Sequence, residues 1–526
     1  MQKVLKIFFI SLFILTALPG SAQFDVNGLK LMEVMDKVSR YYVDSLDEEK
    51  FVEETIEQML HELDPHSSYI SAEELKEIRE QLTGEFEGIG VSFNILEDTI
   101  FIVGTIQGGP SERVGIMAGD RIVEVNDENV AGIGISTSGV QKRLKGKKGT
   151  EVDVTVYRKS VDKELEFTIV RDKIPVVSLD AAYMVDDEIG YIKLSRFSQT
   201  TTEEFRDALK ELQKEGMESL ILDLSGNGGG YLRIAIELAD QFLENGRRIV
   251  YTEGDKMPRR DYKATGKGLF EEGKLVIMID ETSASASEIV SGAVQEWDRG
   301  VLVGRRSFGK GLVQQPFRLN DGSEMRLTIA RYYTPTGRLI QKPYDEGYDN
   351  YAMDIINRYN SGELNSSDSI LFPESEKYET LVQGRTIYGG GGIMPDYFVP
   401  IDTSANTDYL RKLFSNGVFN RFVLSYIDEE RTALERKYRN FNKFKSTFDA
   451  SGLLEELISF AEQEGVTYNE ADFERSKDQI ELLIKAYVAR DLWDTREFYQ
   501  VFNESDPIFQ KARQVLEKPH FYTDKL

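Results

Sequence analysis

Residues 274–314 read KLVIMIDETSASASEIVSGAVQEWDRGVLVGRRSFGKGLVQ, and this stretch decides the fold of the region around it. The continuous apolar run Leu275–Ile279 predicts a buried strand. A turn of small residues follows and leads into a helix whose apolar residues recur at helical spacing. Gly300 ends this helix, and Val301–Val303 predicts a second short strand. The stretch therefore indicates a strand, a turn, a helix and a strand in succession.

Two residues in this stretch have positions that favour catalysis. Ser285 stands where the strand turns into the helix, and a helix N-terminus offers free N–H groups and positive dipole to a developing oxyanion. Lys310 lies in a tight loop between Gly309 and Gly311, where it can be shielded from water. Desolvation lowers the pKa of a lysine from about 10.4, so that the neutral amine can act as a base. The pattern predicts Ser285 as nucleophile and Lys310 as general base.

The same residues permit two simpler interpretations. Ser285 and Glu288 fit the S-x-x-E capping box, which on its own explains both residues. Residues 304–310 match most of a phosphate-binding G-x-x-x-x-G-K loop. However, Gly311 stands where Ser or Thr should hold Mg²⁺, and a strand-like segment follows where a helix is required. The capping interpretation stays open, whereas a nucleotide site is disfavoured.

The stretch closely resembles the S41 family of serine peptidases, the carboxyl-terminal processing (tail-specific) proteases. The family's S-A-S-A-S-E, F-G-K-G and V-Q motifs are present in that order. In that family the middle serine is the nucleophile, a lysine 25 positions later is the base, and a glutamine four positions further orients the lysine. The same spacings separate Ser285, Lys310 and Gln314 here. The resemblance implies those three roles, and an α/β Ser-Lys peptidase core of crotonase/ClpP-like βαβ units.

A glycine-rich turn, residues 226–230, follows another predicted strand. The S41 family has D-L-R-x-N-x-G-G at this point, and its turn contributes an N–H to the oxyanion hole. The resemblance implies that role for Gly229, with Gly230 as the alternative and the N–H of Ala286 as the second donor. Ser225 departs from the pattern, because arginine is usual there. Glu296 stands where some members carry an aspartate important for activity; a solvated helix end is the other interpretation.

Residues 84–172 alternate strand patterns with glycine-rich turns, as in GIGVSF and AGDRIVEVN. This segment resembles a PDZ domain, and Gly88, Ile89, Gly90 and Val91 match the loop that binds a peptide's terminal carboxylate. The N–H groups of such a loop can capture a peptide C-terminus while the peptide adds as a strand. An apolar pocket for apolar C-termini is implied by Ile89, Val91 and Phe93. A glycine-rich turn that binds nothing is the alternative.

The composition disfavours or excludes several kinds of partner and catalytic group. The 526 residues carry a net charge of −26, which disfavours nucleic acids and anionic membranes as partners. The absence of cysteine excludes disulfides, thiol nucleophiles and thiolate metal sites. The three histidines, His61, His66 and His520, form no metal-ligand spacing. Their scarcity favours a lysine base, although folding could still bring His66 into a Ser-His-Asp triad. We expect no metal and no cofactor.

The N-terminus has the pattern of a secretory signal peptide. Lys3 and Lys6 precede the apolar run 7–18, and small residues lead to a predicted cleavage site after Ala22. The apolar run is too short to span a bilayer comfortably. We therefore expect an exported protein, periplasmic or envelope-associated. An uncleaved signal anchor is the alternative.

The whole chain is predicted to be an α+β multidomain protein in five parts. These are a signal peptide (1–22), an N-terminal helical region (23–83), a PDZ domain (84–172), an S41 peptidase core (173–402) and a C-terminal helical domain (403–526). Residues 63–69, LDPHSSY, resemble the motif that precedes the family's binding domain. Residues 344–386 are rich in Tyr, Asn, Ser and Glu, and predict a surface excursion of the core.

The function that follows is that of an exported serine endopeptidase. Its PDZ domain would capture protein or peptide substrates with apolar C-termini, in C-terminal processing or degradation of envelope proteins. A non-catalytic PDZ adaptor on a peptidase scaffold is the alternative, against which the intact Ser285, Lys310 and Gln314 argue. A homo-oligomer or an adaptor protein as further partner stays open, as does the role of the C-terminal tail.

Overall fold

The structure is a computed structural model that describes residues 26–526, so the predicted signal peptide lies outside the described residues. The helices are α1 Val26–Tyr41, α2 Glu48–His61, α3 Ala72–Thr83, α4 Pro110–Val114, α5 Thr137–Leu144, α6 Thr201–Glu215, α7 Leu232–Ala239, α8 Ala286–Glu296, α9 Tyr348–Ala352, α10 Asp354–Asn360, α11 Asp408–Ser415, α12 Val418–Lys437, α13 Phe441–Thr447, α14 Leu454–Gln463, α15 Glu470–Leu492, α16 Thr495–Phe502, α17 Pro507–Glu517 and α18 Pro519–Thr523. None of the helices within residues 26–526 combines the length and the hydropathy that a bilayer-spanning segment needs.

The strands lie between residues 68 and 398. They are β1 Ser68–Ile70, β2 Glu85–Gly88, β3 Val91–Leu96, β4 Thr99–Thr105, β5 Arg121–Val125, β6 Glu128–Asn129, β7 Glu151–Arg158, β8 Lys163–Val170, β9 Asp172–Pro175, β10 Leu179–Met184, β11 Ile189–Leu194, β12 Ser219–Asp223, β13 Arg248–Gly254, β14 Met257–Lys263, β15 Lys274–Ile279, β16 Val301–Gly304, β17 Leu312–Arg318, β18 Glu324–Tyr333, β19 Lys377–Glu379, β20 Thr386–Tyr388 and β21 Tyr397–Phe398.

The chain divides into two units, residues 1–63 and residues 64–526. The described part of the first unit consists of α1 and α2, as the helical spacing of its apolar residues predicts. The carboxylate of Asp47 caps α2 by accepting a hydrogen bond from the N–H of Lys50 at 3.2 Å.

A six-stranded sheet forms the centre of the second unit, in the order β10-β11-β12-β15-β16-β21. β10 is antiparallel to β11, and the remaining strands run parallel. The parallel strands are buried on both faces, which explains their continuous apolar sequences. Helices α6, α7 and α8 pack on one face through a large apolar core. The carboxyl ends of these strands carry both the glycine-rich turn and the turn of Ser285.

The second unit also contains two larger antiparallel sheets. The first, of β3-β4-β5-β7-β8 with β6 beside β5, is formed by residues 91–170 and has its own apolar core. The second follows the order β1-β18-β13-β14, with β17 also paired to β18. β1 belongs to the LDPHSSY segment and pairs with β18 in the register Tyr69↔Met325. This pairing fixes residues 64–70 against the segment that follows Lys310.

The C-terminal tail contributes to two cores. Helices α11 to α16 pack mainly on one another. The last helices instead cover the second face of the central sheet, where α17 buries Phe509, Ala512 and Val515. The tail also holds the first antiparallel sheet, because Asp428 of α12 accepts both guanidinium N–H groups of Arg121 at 3.1 and 2.9 Å. The tail therefore covers the core, a role that its sequence left open.

The predicted surface excursion of residues 344–386 is present, since most of its side chains are exposed, but the first half also has a buried side that the sequence did not predict. Tyr351, Arg358 and Glu363 are only 8%, 4% and 7% exposed, and they pack against residues around Lys310. The polar composition does not reveal this buried side, because Arg358 and Glu363 pair with each other inside the protein. The second half, from Ser366, is more exposed and contains two short 3₁₀ helices.

Candidate active site

Two turns at the carboxyl edge of the central sheet are bound to each other. The backbone carbonyl of Asn227 accepts hydrogen bonds from the N–H of Ala284 at 3.0 Å and from the hydroxyl of Ser287 at 2.8 Å. In return, the N–H of Gly226 donates to the carboxylate of Asp280 at 3.0 Å. These bonds hold the glycine-rich turn directly beside the nucleophile turn.

Ser285 occupies the first position before helix α8, with φ 56° and ψ −109°. A residue other than glycine in such a region costs about 1–3 kcal/mol and persists only where its surroundings impose it. The N–H of Ser285 donates to the carboxylate of Glu288 at 2.7 Å, which is one half of the predicted capping box. The capping box is present, but a helix cap does not require this strained backbone, which supports a further role for the turn.

The predicted oxyanion donors both lie next to Ser285. A Cβ placed on Gly229, whose φ is +101°, would lie 2.9 Å from Cβ of Ser285 and 3.0 Å from the backbone nitrogen of Ala286. However, the N–H of Gly229 donates to the side-chain oxygen of Asn227 at 2.9 Å. The N–H of Ala286 lies in the first turn of α8, where no helix carbonyl is available to it. The assignment of Gly229, with Gly230 as its alternative, stays a prediction.

The loop that carries Lys310 is fixed by contacts with distant segments. The N–H of Phe308 donates to the carbonyl of Ser283 at 3.0 Å, which joins this loop to the nucleophile turn. The carbonyl of Gly309 accepts from the N–H of Lys342 at 3.0 Å. On the other side of Lys310, the N–H of Gly311 donates to the side-chain oxygen of Gln341 at 2.8 Å.

Glu288 joins the two loops. Its side chain is 1% exposed, and one carboxylate oxygen accepts from the N–H of Ser285 at 2.7 Å and from the N–H of Lys310 at 2.9 Å. The other oxygen accepts from the N–H of Gly309 at 2.7 Å and from the hydroxyl of Ser307 at 2.5 Å. Burial raises the pKa of Glu288, and these four hydrogen bonds oppose the shift. One carboxylate thus sets the distance between the two predicted catalytic residues.

Tyr332 joins the same two residues from the side of their carbonyl groups. Its side chain is 1% exposed, and its hydroxyl lies against the carbonyl oxygens of Lys310 and, at 3.2 Å, of Ser285. Glu288 therefore binds the N–H groups of Ser285 and Lys310, and Tyr332 binds their carbonyl groups. The sequence indicates Glu288 only as a helix cap and does not indicate Tyr332.

The amine of Lys310 is largely withdrawn from water. Burial lowers the pKa of Lys310 below its usual value; Glu288 and Asp64 oppose this shift, and Arg326 adds to it. A lysine with a lowered pKa is neutral in a larger fraction of molecules near neutral pH, as a general base must be. Lys310 is thus shielded from water, as its two flanking glycines predict.

Gln314 is connected to Asp64, a residue near Lys310, by two hydrogen bonds that the sequence did not predict. Its amide nitrogen donates to the hydroxyl of Thr328 at 3.4 Å, and that hydroxyl donates to Asp64 at 3.0 Å. Asp64 also accepts from the hydroxyl of Ser67 at 2.6 Å. The role of Gln314 in orienting Lys310 stays a prediction, and Asp64 is a site residue that sequence reasoning took for part of a turn.

His66, which the sequence left open as a member of a Ser-His-Asp triad, lies near the charge of Lys310. Its Nε2 lies 2.6 Å from the hydroxyl of Tyr351. Burial, followed by the nearby charge of Lys310, lowers the pKa of His66 to about 3. The imidazole is therefore neutral at neutral pH. The LDPHSSY motif was the signal available in the sequence, since it places two titratable side chains two positions apart.

Glu296 is not at a solvated helix end, so that interpretation is wrong. It is fully buried, and its carboxylate accepts from Nε of Arg338 at 2.8 Å and from the N–H of Thr336 at 2.7 Å. A buried carboxylate needs such partners because an unpaired charge is strongly unfavourable in the interior. A contribution of Glu296 to activity stays a prediction.

A separate cavity of about 350 Å³ lies at the residues predicted to bind a peptide terminus. Apolar side chains form much of its lining: Phe86, Ile89, Val91, Phe93 and Leu144. Gly90 has φ +75°, and a Cβ there would lie 2.9 Å from Cδ1 of Ile174, so this position requires glycine. The cavity also receives Lys145, which is paired at 2.5 Å with Glu80 of α3.

Comparison with known proteins identifies the family. The model for peptidase family S41 matches residues 188–347, and a PDZ domain model matches residues 88–169. A carboxy-terminal-processing protease of Bartonella bacilliformis is 38% identical over 316 residues, which cover 59% of this chain and 71% of that protein. The chain belongs to peptidase family S41.

A second relative agrees with this assignment. The carboxy-terminal processing protease CtpB of Bacillus subtilis is 35% identical over 336 residues, covering 62% of this chain and 69% of that protein. The solved structure of a photosystem II D1 C-terminal processing protease is 27% identical, with a TM-score of 0.33, and covers 60% of this chain and 89% of that one. Residues 409–494 match a family of unknown function, DUF8443.

Several predictions are thereby confirmed. The peptidase is of the serine type and combines a PDZ domain, an α/β S41 core and a C-terminal helical region. The roles of the site residues stay predictions. In the structure Ser285, Lys310, Gly229 and Ala286 lie in one region, whereas Gly88, Ile89, Gly90 and Val91 lie at the separate PDZ cavity or beside it.

Proposed function

We propose that this serine peptidase cleaves peptide bonds with Ser285 as nucleophile and Lys310 as general base. One observation carries the proposal: a single buried carboxylate, that of Glu288, accepts the N–H groups of both residues at 2.7 and 2.9 Å. The lowered pKa of Lys310, caused first by burial, supplies the neutral amine that the base role requires.

The reaction follows from these positions. The neutral amine of Lys310 takes the hydroxyl proton of Ser285, whose oxygen attacks the peptide carbonyl. The negative charge that develops on the carbonyl oxygen is stabilised by the N–H of Ala286 and by an N–H of the glycine-rich turn, Gly229 or Gly230. The protonated Lys310 then gives its proton to the leaving amine, and water releases the acyl group from Ser285. Gln314 acts on Lys310 through Thr328 and Asp64.

The PDZ domain supplies substrate selection in this proposal. Gly88, Ile89, Gly90 and Val91 form the loop that receives a terminal carboxylate, and the apolar lining of the adjacent cavity favours apolar C-terminal residues. The carbonyl of Ile89 accepts from both the N–H and the hydroxyl of Ser111, and this holds the loop in shape. The two relatives named above are C-terminal processing proteases, which supports the same activity here.

The place of action belongs to the proposal as well. The pattern of residues 1–22 supports export, with cleavage after Ala22, to the periplasm or the cell envelope, where the substrates would be envelope proteins. The division into segments 23–83, 84–172, 173–402 and 403–526 is part of the same proposal. Fractionation of cells that produce the full chain, with sequencing of its mature N-terminus, tests the export.

A peptide cleavage assay tests the activity. The full chain and its Ser285→Ala variant are compared on a peptide with an apolar C-terminus and on the same peptide with an amidated C-terminus. We expect cleavage by the wild type only, and slower cleavage of the amidated peptide. Binding without any cleavage by the wild type would support the PDZ adaptor instead, and equal cleavage by both proteins would exclude Ser285 as nucleophile.

A further inference from the structure

Residues 344–364, which we name the clamp segment, form hydrogen bonds with the backbone that precedes Lys310. Arg358 donates from its two terminal nitrogens to the carbonyl oxygens of Ser307 at 3.1 Å and of Arg306 at 2.6 Å. Its Nε donates to Glu363 at 2.6 Å. The same carboxylate accepts two hydrogen bonds from Arg306 at 2.8 and 2.7 Å. Since Arg358 and Glu363 are both buried, these contacts are shielded from competing water.

The clamp segment also supports the backbone that follows Lys310. The N–H of Gly311 donates to Gln341 at 2.8 Å, and the amide nitrogen of Gln341 donates to the hydroxyl of Tyr351 at 3.3 Å. That hydroxyl lies 2.6 Å from Nε2 of His66. Tyr351 of α9 therefore joins the far end of the loop to the turn that contains Asp64 and His66.

A loop with glycine on both sides of its functional residue has no intrinsic reason to stay in one conformation. Gly309 has φ +88°, a conformation that glycine adopts freely and also leaves freely. The charged groups that act on Lys310 are the carboxylates of Glu288 and Asp64 and the guanidinium of Arg326, with the neutral imidazole of His66 also nearby. Small movements of the loop would change the distance of its amine to each of these groups and to water.

We propose that the clamp segment holds the loop of Lys310 in its catalytic position, with Arg358 and Tyr351 as positioning residues. The inference rests on the proposed role of Lys310 as base. It gives a function to a segment that lies almost entirely beyond the part of the chain matched by the S41 model, which ends at residue 347. Neither residue is assigned contact with the scissile bond.

The test uses the full chain with Arg358→Gln, Arg358→Lys and Tyr351→Phe, and measures kcat and KM against pH. We expect Arg358→Gln to lower kcat by about tenfold to a hundredfold with little change in KM, because a displaced catalytic group loses rate without losing substrate binding. The rising limb of the pH profile should move to higher pH, since a released loop exposes the amine of Lys310 to water. Arg358→Lys should restore part of the rate, and Tyr351→Phe should change kcat and the limb in the same direction.

Arg299→Gln is the matched control. Arg299 also donates to several backbone carbonyls, those of Phe242, Phe270, Glu272 and Gly273, and none of these belongs to the Lys310 loop. It should lower the melting temperature and leave the pH limb in place. An equal displacement of the limb by Arg299→Gln would overturn the clamp, because global loosening would then explain the result.

Further outcomes separate this inference from the proposed function. Wild-type kcat and an unmoved limb in Tyr351→Phe, which keeps the ring and its packing, would overturn the clamp even if the Arg358 variants fail to fold. If Ser285-dependent cleavage is absent from the wild type, or persists in Lys310→Ala, the proposed function fails instead.

Discussion

The nucleophile turn and the base loop meet at Glu288, but they are built in different ways. The turn of Ser285 is held mostly by neighbours in sequence: Asp280 accepts from the N–H groups of Thr282 and Ser283, and Glu288 accepts from Ser285. The loop of Lys310 is held mostly by residues far along the chain, including Gln341 and Arg358. Local contacts contribute more to the geometry of the nucleophile than to that of the base, whose position depends on the assembled fold.

Different substitutions should therefore disturb the nucleophile turn and the base loop. A change near Ser285 acts on a turn that has many of its hydrogen bonds within residues 280–289, although Asn227 also binds it. A change far from Lys310 in sequence can still displace the base, because its loop has little structure of its own. The substitutions that follow separate these two kinds of dependence.

Lys310→Ala should give the largest effect, because it removes the base and leaves the nucleophile turn intact. We expect kcat/KM to fall by about 10³- to 10⁴-fold, the upper part of the range for general acid–base catalysis. Peptide binding at the PDZ cavity, measured by fluorescence anisotropy, should be unchanged. Activity within tenfold of wild type would assign the base role to another group, with His66 the first candidate.

Most of the nucleophile half could be predicted from the sequence, and the reason is this locality. A buried apolar strand, a small-residue turn and an amphipathic helix lie within residues 274–297, and each has a pattern of its own. Asp64 was missed as a site residue, and His66 was considered only for a triad, because the positions of both depend on the pairing of β1 with β18. The pairing of β1 with β18 joins segments about 250 residues apart, and no local pattern encodes it. Tyr332 lies on β18, which pairs with the neighbouring strand β17, but its hydroxyl contacts the carbonyl groups of residues that lie 22 and 47 positions away.

Glu288→Gln should give the next largest effect, because it breaks the connection between the two halves. A glutamine has one acceptor oxygen, and its amide nitrogen would face N–H groups that also donate, so about two buried donors lose their partner at roughly 1–3 kcal/mol each. We expect kcat to fall by about a hundredfold through misplacement of both residues. Steady-state kinetics and thermal unfolding measure the two consequences.

Glu204→Gln is the control for that substitution. Its carboxylate also accepts several hydrogen bonds, from the N–H and hydroxyl of Ser178 and from the N–H of Leu179, but it lies on α6 and touches neither catalytic loop. It should lower the melting temperature while kcat stays at the wild-type value. A comparable loss of kcat in both variants would mean that stability alone explains the effect at Glu288.

Gly229→Ala tests the nucleophile half alone. The added methyl would lie 2.8 Å from the carbonyl oxygen of Ala284 and 2.9 Å from Cβ of Ser285, on a backbone with φ +101°. We expect kcat to fall by about tenfold to a hundredfold, since the nucleophile must move away. Gly228→Ala in the same turn has open space around its Cβ and should retain activity. Equal losses in both variants would point to the turn's flexibility and not to its contact with Ser285.

The smallest expected effect is a shift in pH dependence from Arg326→Gln, which acts on the base half through charge. Arg326 helps to lower the pKa of Lys310, so its removal should raise that pKa. Because the neutral amine is the active form, activity rises with pH through the pKa of Lys310, and the rising limb of kcat/KM should move to higher pH. Arg331→Gln on the same strand removes a charge that is not among those acting on Lys310, and it should leave the limb in place. A limb that moves to lower pH in Arg326→Gln would show that the group titrating in the profile is not a lysine beside this arginine, and the local electrostatics assigned to the base half would then be wrong.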